Sequence, residues 1–360
     1  MICCVIPTYK AGKTIRTVVR NASEYADAVV VVDDACPQRS GELVEETFAE
    51  DASVFVVRHE VNRGVGGATK TGIAKALELG ADVIIKLDAD DQMDARYIPS
   101  IVEVFNSDPA VEFVKGNRFI DMNLLRAMPK RRLFGNSVLS LLLKLSSGYW
   151  NLIDPTNGYL AFRASKLGQT AWRELSERYF FEAHVLCMLG MKKARIAEME
   201  MPAIYGGEVS SLSITRVGLE FPPKLLKLCL KRVLFQYFIY DINLGSVYLL
   251  FGLLLVTAAC LWGGYEWAES VLTGIPRTTG TVMLAVLLFL MGFQLLLNAL
   301  MHDVQFGARS VKVVPHALPS LPNDFVGDAA NVSDARAADA HERDAQTVRP
   351  GAMAGPGRVD

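Results

Sequence analysis

The sequence predicts an α/β chain: a Rossmann-like, mixed but mostly parallel sheet with helices on both faces, then amphipathic helices and two C-terminal transmembrane helices. Three observations carry this expectation. Continuous apolar runs alternate with helix-patterned segments from residue 1 to about 115, the pattern of strands buried on both faces. Acidic residues close two of those runs, at the strand ends where open α/β sheets bind ligands. Two apolar stretches, 244–262 and 281–301, have the length of membrane-spanning helices.

The elements follow in order. MICCVIPT reads as a buried strand and TIRTVVRNASEYA as the helix after it. DAVVVVDDA is a second strand ending at Asp33 and Asp34, and SVFVVRHE a third. ATKTGIAKALELG is a helix closing at Gly80, and DVIIKLDADD a fourth strand. Pro7, Asp33, Asp34, Asp88 and Asp90 all fall at carboxyl ends of strands. Residues 116–215 are mixed. There, SVLSLLLKLSSGYW follows the basic cluster Lys130, Arg131 and Arg132, and reads as a helix at a membrane surface or an ordinary core helix.

In PPKLLKLCLKRVLFQYFIY, residues 222–240, Leu226, Leu230, Val233, Leu234 and Tyr237 recur at helical spacing while Lys224, Lys227 and Lys231 share another face. This is a basic amphipathic helix suited to an anionic lipid interface. Basic residues crowd before the first span and only Arg277 occupies the loop between the spans. The positive-inside rule then places both chain ends in the cytoplasm, with the spans in the inner or plasma membrane. After about residue 315 the chain is rich in Ala, Pro, Gly, Asp and Arg without periodicity, as in a disordered tail. The expected division is 1–215 as the cytoplasmic α/β domain, 216–242 as juxtamembrane helices, 243–302 as the transmembrane hairpin and 303–360 as a largely disordered cytoplasmic tail.

A net charge of −2 argues against nucleic acid as a partner. A mean hydropathy of +0.24 fits a membrane portion. The six cysteines show no metal-ligand spacing and are expected to be reduced thiols, mostly buried. No signal peptide precedes the first strand, so the N-terminal domain is expected in the cytoplasm. In VIPTYKAGKT, Gly12, Lys13 and Thr14 fit the second half of a phosphate-binding P-loop. Its first glycine position is Pro7, which has no N–H to offer a phosphate. NRGVGGATKTG is glycine-rich, but it follows the third strand and yields G-x-G-x-x-T, weak support for a dinucleotide site.

The chemistry is expected in LDADDQ, residues 87–92. Asp88 and Asp90 present hard carboxylate oxygens suited to Mg²⁺ or Mn²⁺, with Gln92 as a third ligand. An Asp-rich turn that caps the next helix is the structural alternative.

VIPTYK, VVVVDDA, NRGVGGATKTG, LDADDQ, KGNRF and DPTNGYLAFR stand in the order seen in family-2 glycosyltransferases of the GT-A fold. Over roughly residues 1–215 the chain resembles the branch that includes dolichyl-phosphate mannose synthase and bacterial polyprenyl-phosphate sugar transferases. The resemblance implies that Pro7, Thr8 and Tyr9 line the base and ribose of a nucleotide-sugar, with Asp33 and Asp34 at the base edge. It implies that Gly64 and Gly66 let the backbone pass close to the donor. Asp88, Ala89, Asp90 and Gln92 match the D-A-D-x-Q that holds a metal on the diphosphate. Arg118 and Arg131 match arginines that hold an acceptor phosphate, and Asp154 matches an acid near that site, orienting the arginines or acting as a base. Two departures stand out: Gly135 replaces a serine, and Lys10, Ala11 and Gly12 follow PTY where an acidic residue is usual.

Glu182 and His184, in YFFEAHVL, suit either packing or, for Glu182, a base; Ser210 and Ser211 suit a loop closing on the donor. The implied function is inverting, metal-dependent transfer of a single sugar from a nucleotide-sugar to a polyprenyl, undecaprenyl-type phosphate at the cytoplasmic membrane face, for cell-envelope glycan assembly. Extension of a lipid-linked glycan, and a membrane-tethered nucleotide-sugar-binding scaffold without turnover, remain as alternatives. Sugar, nucleotide and prenyl length are open. So is a homo-oligomer, for which the small residues of GSVYLLFG offer close span packing.

Overall fold

The computed structural model describes residues 1–118, 130–167, 172–201 and 214–313, with the backbone alone for 130–134 and 214–217. The expected tail beyond 313, the loop carrying Ser210 and Ser211, and the Arg131 side chain lie outside the described residues.

The apolar runs form strands β1 (Ile2–Thr8), β2 (Ala28–Asp33), β3 (Val54–Arg58), β4 (Val83–Lys86), β5 (Val111–Asn117), β6 (Leu160–Arg163), β7 (Arg195–Glu200) and β8 (Ser310–Val313). They make one sheet ordered β3-β2-β1-β4-β6-β5-β7-β8. Only β6 runs antiparallel to its neighbours. Helices α1 (Ile15–Ser23) and α2 (Ser40–Thr47) connect β1 through β3, and α3 (Val65–Glu78) crosses back to β4. Right-handed crossovers put α1 and α2 on one face and α3 on the other. That explains why Cys3 to Ile6 and Val29 to Val32 are fully buried. Helix α3 lies so close to the sheet that a Cβ at Gly72 would strike the Val5 side chain. The strand order reverses between β1 and β4, which opens a crevice at their carboxyl ends. Helix α4 (Ile98–Ser107) then leads into β5.

Helices α5 (Lys130–Ser147), α6 (Phe181–Met191) and α7 (Ile214–Leu234) pack together around Leu143, Phe180, Ala183, Cys187, Phe221 and Leu225. Helix α7 begins eight residues before the expected start and runs through Pro222 and Pro223. Phe221 and Leu225, buried on either side of that pair, anchor the helix where each proline removes a backbone donor. The expected apolar face also divides. Tyr237 turns into the protein, whereas Leu226, Leu230 and Leu234 are 60%, 61% and 51% exposed. This leaves an outward leucine row beside Lys224, Lys227 and Lys231.

A π-helical turn, Phe235–Ile239, leads to α8 (Leu244–Thr273) and α9 (Thr279–Phe306). Both are long and apolar enough to cross a membrane, and each is longer than the apolar stretch that announced it. The Asn243 side chain caps α8, and left-handed Gly274 ends it. Cβ atoms at Gly252 and Gly292 would collide with Leu296 and Val256 across the hairpin. The small residues of GSVYLLFG are thus taken up by packing within the chain.

Two contacts tie the hairpin to the sheet. Asp303, near the end of α9, accepts from Arg232 Nη1 (2.7 Å) and Nη2 (2.9 Å), Tyr237 Oη (2.7 Å) and Trp150 Nε1 (2.8 Å). Arg232 is 2% exposed and also reaches the Leu145 carbonyl of α5. Beyond α9 the chain adds β8 to the sheet, parallel to β7. Residues 310–313, just before the stretch expected to be disordered from about 315, are therefore part of the sheet. The short SVKV run alternates faces too briefly to be read as a strand without its partner.

Replacing Asp303 with alanine leaves the buried Arg232 guanidinium unpaired, a change that costs about 3–5 kcal/mol. The variant is expected to melt well below wild type in detergent, and Asp303→Asn to fall between; a differential scanning measurement reads both.

Candidate active site

The loops at the carboxyl ends of β2 and β3 are held by backbone N–H groups on carboxylates. Asp33 accepts from Cys36 N and Gly41 N, both at 2.7 Å. Asp34 accepts from Arg63 N (2.8 Å) and Gly64 N (2.7 Å), and pairs with His59 Nδ1 at 2.7 Å. The other His59 ring nitrogen meets Thr71 Oγ1. Both aspartates are nearly buried, so they shape the rim of the crevice while most of their acceptor capacity is engaged. Thr8 is buried and Tyr9 is half-exposed at the mouth.

Gly64 has φ +86°, and a Cβ there would meet the Glu177 carbonyl; at Gly66 a Cβ would strike the Ser176 carbonyl. The room these glycines leave is filled by residues 176–178 of the same chain. The AGKT segment is a closed turn. Gly12 N donates to Gln38 Oε1, Thr14 N donates to the Ala11 carbonyl, and Thr14 Oγ1 bonds the Ala89 carbonyl at 2.5 Å. These N–H groups cradle no phosphate, and the hydroxyl ties the first loop to the D-A-D loop.

The D-A-D loop leaves β4 just past Lys86. Asp90 Oδ1 accepts from Gln92 N at 3.2 Å. Lys86, 1% exposed, extends from the strand to Asp88 Oδ1 (2.7 Å), Glu182 Oε1 (2.9 Å) and the Gly158 carbonyl (3.2 Å). Burial pushes the Asp88 carboxyl upward, and the Glu182 and Asp90 carboxylates push the same way against Lys86. Burial also pushes Glu182 upward, but Lys86 and Lys115 outweigh it and hold Glu182 low. Among the described residues no three His, Cys, Asp or Glu side chains form a preformed metal cage. Two carboxylates with room for water and substrate oxygens are nonetheless the usual Mg²⁺ or Mn²⁺ donor set. The carboxylates of Asp88 and Asp90, two residues apart just past the end of β4, fit such an ion.

At the other end of the 153–158 loop stands the arginine. Asp154, fully buried, accepts from Arg118 Nε at 3.0 Å and Arg118 N at 3.2 Å. Arg118 itself is about a third exposed. Arg131 lies on the first turn of α5. Glu182 belongs to the charged cluster, not to apolar packing. His184 turns elsewhere and accepts from Ser176 N at Nδ1, with its pKa lowered by burial and by Lys231.

Three residues in this region escaped the reading of the sequence: Lys86, Lys115 and Glu198. Their signal is an ionisable side chain inside a strand buried on both faces, as in VIIK, VEFVKGN and IAEME. Lys115 donates to the Asn157 carbonyl. Burial lowers its pKa to about 8, against the pull of the Glu182 and Asp154 carboxylates and with help from Arg118 and Lys86.

Between pH 8 and about 10 the unfolded chain thus binds a proton at Lys115 that the folded chain releases, so this residue's contribution to stability rises with pH. Lys115→Met is expected to flatten the rise in melting temperature across that window. Parallel melts of wild type and variant from pH 7 to 10 check it.

Residues 3–170 match the family model described as glycosyl transferase family 2. A UDP-N-acetylglucosamine–dolichyl-phosphate N-acetylglucosaminyltransferase of Methanococcus voltae is 31% identical over 218 residues, 57% of this chain and 86% of that protein. An undecaprenyl-phosphate mannosyltransferase of Micrococcus luteus is 32% identical over 166 residues, 45% of this chain and 66% of that protein. A polyprenol monophosphomannose synthase of Mycolicibacterium smegmatis is 26% identical over 166 residues, 45% of this chain and 62% of that protein. Strand-end aspartates, the D-A-D loop beside the β1–β4 reversal and the Asp154-held arginine all lie on a mostly parallel sheet, and with these relatives they lead to one conclusion: the chain is an enzyme of glycosyl transferase family 2.

Proposed function

We propose that this enzyme moves a single sugar from a nucleotide-sugar to a polyprenyl phosphate at the cytoplasmic membrane face, with inversion at the anomeric carbon. One observation carries the reading. An acidic cluster (Asp88, Asp90 and Glu182) and a carboxylate-held arginine (Arg118) stand at opposite ends of one short loop, residues 153–158. The names of the relatives above support the same donor and acceptor classes.

The reaction brings two anions together. A phosphate oxygen of the acceptor attacks the anomeric carbon while the nucleoside diphosphate departs from the opposite side. A prenyl phosphate is already anionic, so no strong base is needed, and Asp154 serves to orient Arg118. Arg118, joined by Arg131, would grip the acceptor phosphate through charge-assisted bonds. Asp88 and Asp90 would hold Mg²⁺ or Mn²⁺, with Gln92 beside them; when bound, the ion neutralises charge on the departing diphosphate. Lys86 bridges Asp88 and Glu182 and offsets the repulsion between their carboxylates. Pro7, Thr8 and Tyr9 would face the nucleoside, over a rim shaped by Asp33, Asp34, Gly64 and Gly66. Positioning and fixed charges then carry the rate.

Helices α8 and α9 would span the bilayer. Both free ends of the hairpin come back to the sheet-bearing unit, at Tyr237 and Asp303, which supports one side for the whole catalytic portion. The leucine row of α7, with Lys224, Lys227 and Lys231, would lie among anionic headgroups. The proposed division is a catalytic portion over 1–215, juxtamembrane helices over 216–242 and the hairpin over 243–302, with β8 returning to the sheet.

The test uses protein in detergent, undecaprenyl phosphate, a panel of UDP-, GDP- and dTDP-sugars, and Mg²⁺ or Mn²⁺. Mass spectrometry of the lipid product and release of nucleoside diphosphate are the readouts. One sugar per lipid phosphate is expected, abolished by chelator and restored by the metal. Asp88→Asn and Asp90→Asn are each expected to lower kcat by roughly 10²–10³. Arg118→Lys is expected to raise the acceptor KM with little change in donor affinity. Donor binding without any transfer to the lipid would sink the reading.

A further inference from the structure

Three buried ionisable side chains stand in one row of the sheet. Lys86 on β4 is level with Leu160 on β6, Leu160 with Lys115 on β5, and Lys115 with Glu198 on β7. Cross-strand partners in register project to the same face. All three charged members are at most 1% exposed, where an ionisable group is costly unless it is fully engaged.

What they engage is the backbone of residues 153–158. Glu198 Oε1 accepts from Ile153 N and Asp154 N, both at 2.8 Å. Lys115 Nζ donates to the Asn157 carbonyl, and Lys86 Nζ to the Gly158 carbonyl. A Cβ at Gly116 would fall 2.8 Å from Asn157 Nδ2, so β5 lets the loop lie against it. The loop is thus held at its first, second, fifth and last residues from strands on both sides of β6.

Each end of this braced segment meets one half of the site. At Gly158 it abuts Asp88 and Glu182: a Cβ there would lie 3.0 Å from Asp88 Oδ2 and 2.8 Å from Glu182 Oε1. At Asp154 it holds Arg118. Glu198 touches neither substrate region and acts through the backbone of Ile153 and Asp154. We infer that Lys115 and Glu198 are positioning residues: they make residues 153–158 a rigid bar that sets the separation between the donor end and the acceptor-gripping arginine. The inference rests on the acceptor reading of Arg118 and adds two residues that touch neither substrate. Displacing a reacting group by about 1 Å costs on the order of 10²-fold in rate, so a modest shift of the bar is enough to be measured.

The experiment compares wild type, Glu198→Leu, Glu198→Gln and Lys115→Met in the full chain in detergent, with undecaprenyl phosphate as acceptor and the active nucleotide-sugar as donor. Donor Kd, acceptor KM and kcat are read separately, and melting curves establish folding. Glu198→Leu is expected to lower kcat/KM for the lipid roughly 30-fold while donor Kd stays within about twofold. Glu198→Gln keeps an acceptor oxygen for the two N–H groups and should recover most of the loss. In an Arg118→Lys background, Glu198→Leu should add less than about threefold, because the two act along one path. Equal losses in both backgrounds, an unimpaired Glu198→Leu, or a donor Kd that shifts as much as the acceptor KM would overturn the inference. If Glu198→Leu does not fold, Lys115→Met decides by the same three readouts. A wild type inert toward the lipid defeats the acceptor reading and the inference with it; an active wild type beside unimpaired variants defeats the inference alone.

Discussion

Burial of three ionisable side chains beneath a short stretch of backbone is the constraint on which the rest of the site depends. A parallel sheet covered on both faces normally excludes lysine and glutamate from its interior. Here the exclusion is lifted because each group finds a backbone partner, and because Lys86 also neutralises two carboxylates. Buried charges need the surrounding groups at fixed distances, since a small retreat of a partner leaves an ion in a medium that cannot solvate it. The 153–158 backbone is therefore more narrowly placed than hydrogen bonding among neutral groups would make it. The acidic end and the arginine end of the site inherit that placement.

The same principle operates where the hairpin meets the sheet-bearing unit. Asp303 and Arg232 are buried together, and tyrosine, tryptophan and backbone groups complete their hydrogen bonding. Helices α5 and α7 are thereby joined to the end of α9. Gly148, just beyond α5, has φ +79°, and a Cβ there would fall 2.8 Å from Arg232 Nη1. Strand β8 adds a second tie, with Asn151 bonded to Ser310 in both directions. Under the proposed function, these buried contacts would hold the catalytic portion at a fixed height above the bilayer that carries the acceptor.

Much of the fold was legible because strands buried on both faces leave an unmistakable apolar run, and because a bilayer demands about 20 apolar residues in succession. Asp88 and Asp90 were legible as a pair at the carboxyl end of such a run. Other features were not. Nothing local in SVKV distinguishes a strand from a tail, since its pairing partner lies more than a hundred residues away in β7. Pro222 and Pro223 suggest a helix start, and only the burial of Phe221 and Leu225 shows why the helix runs through them. Gly64 and Gly66 also leave room for residues 176–178, a contact between segments far apart in the chain.

The sequence by itself determined the first four strands with the helices after the first and third, the acidic strand ends, the two long apolar helices and the resemblance to family-2 glycosyltransferases. Each of these is written in residues close together in the chain, where periodicity and chain chemistry act directly. Only the tertiary structure decided that Lys86, Lys115 and Glu198 share one row, that Glu182 joins the Asp88 cluster, and that Asp154 holds Arg118. The physical reason is that register between strands and the partner of a buried charge are set by packing across the sheet, and neither leaves a local trace in the sequence.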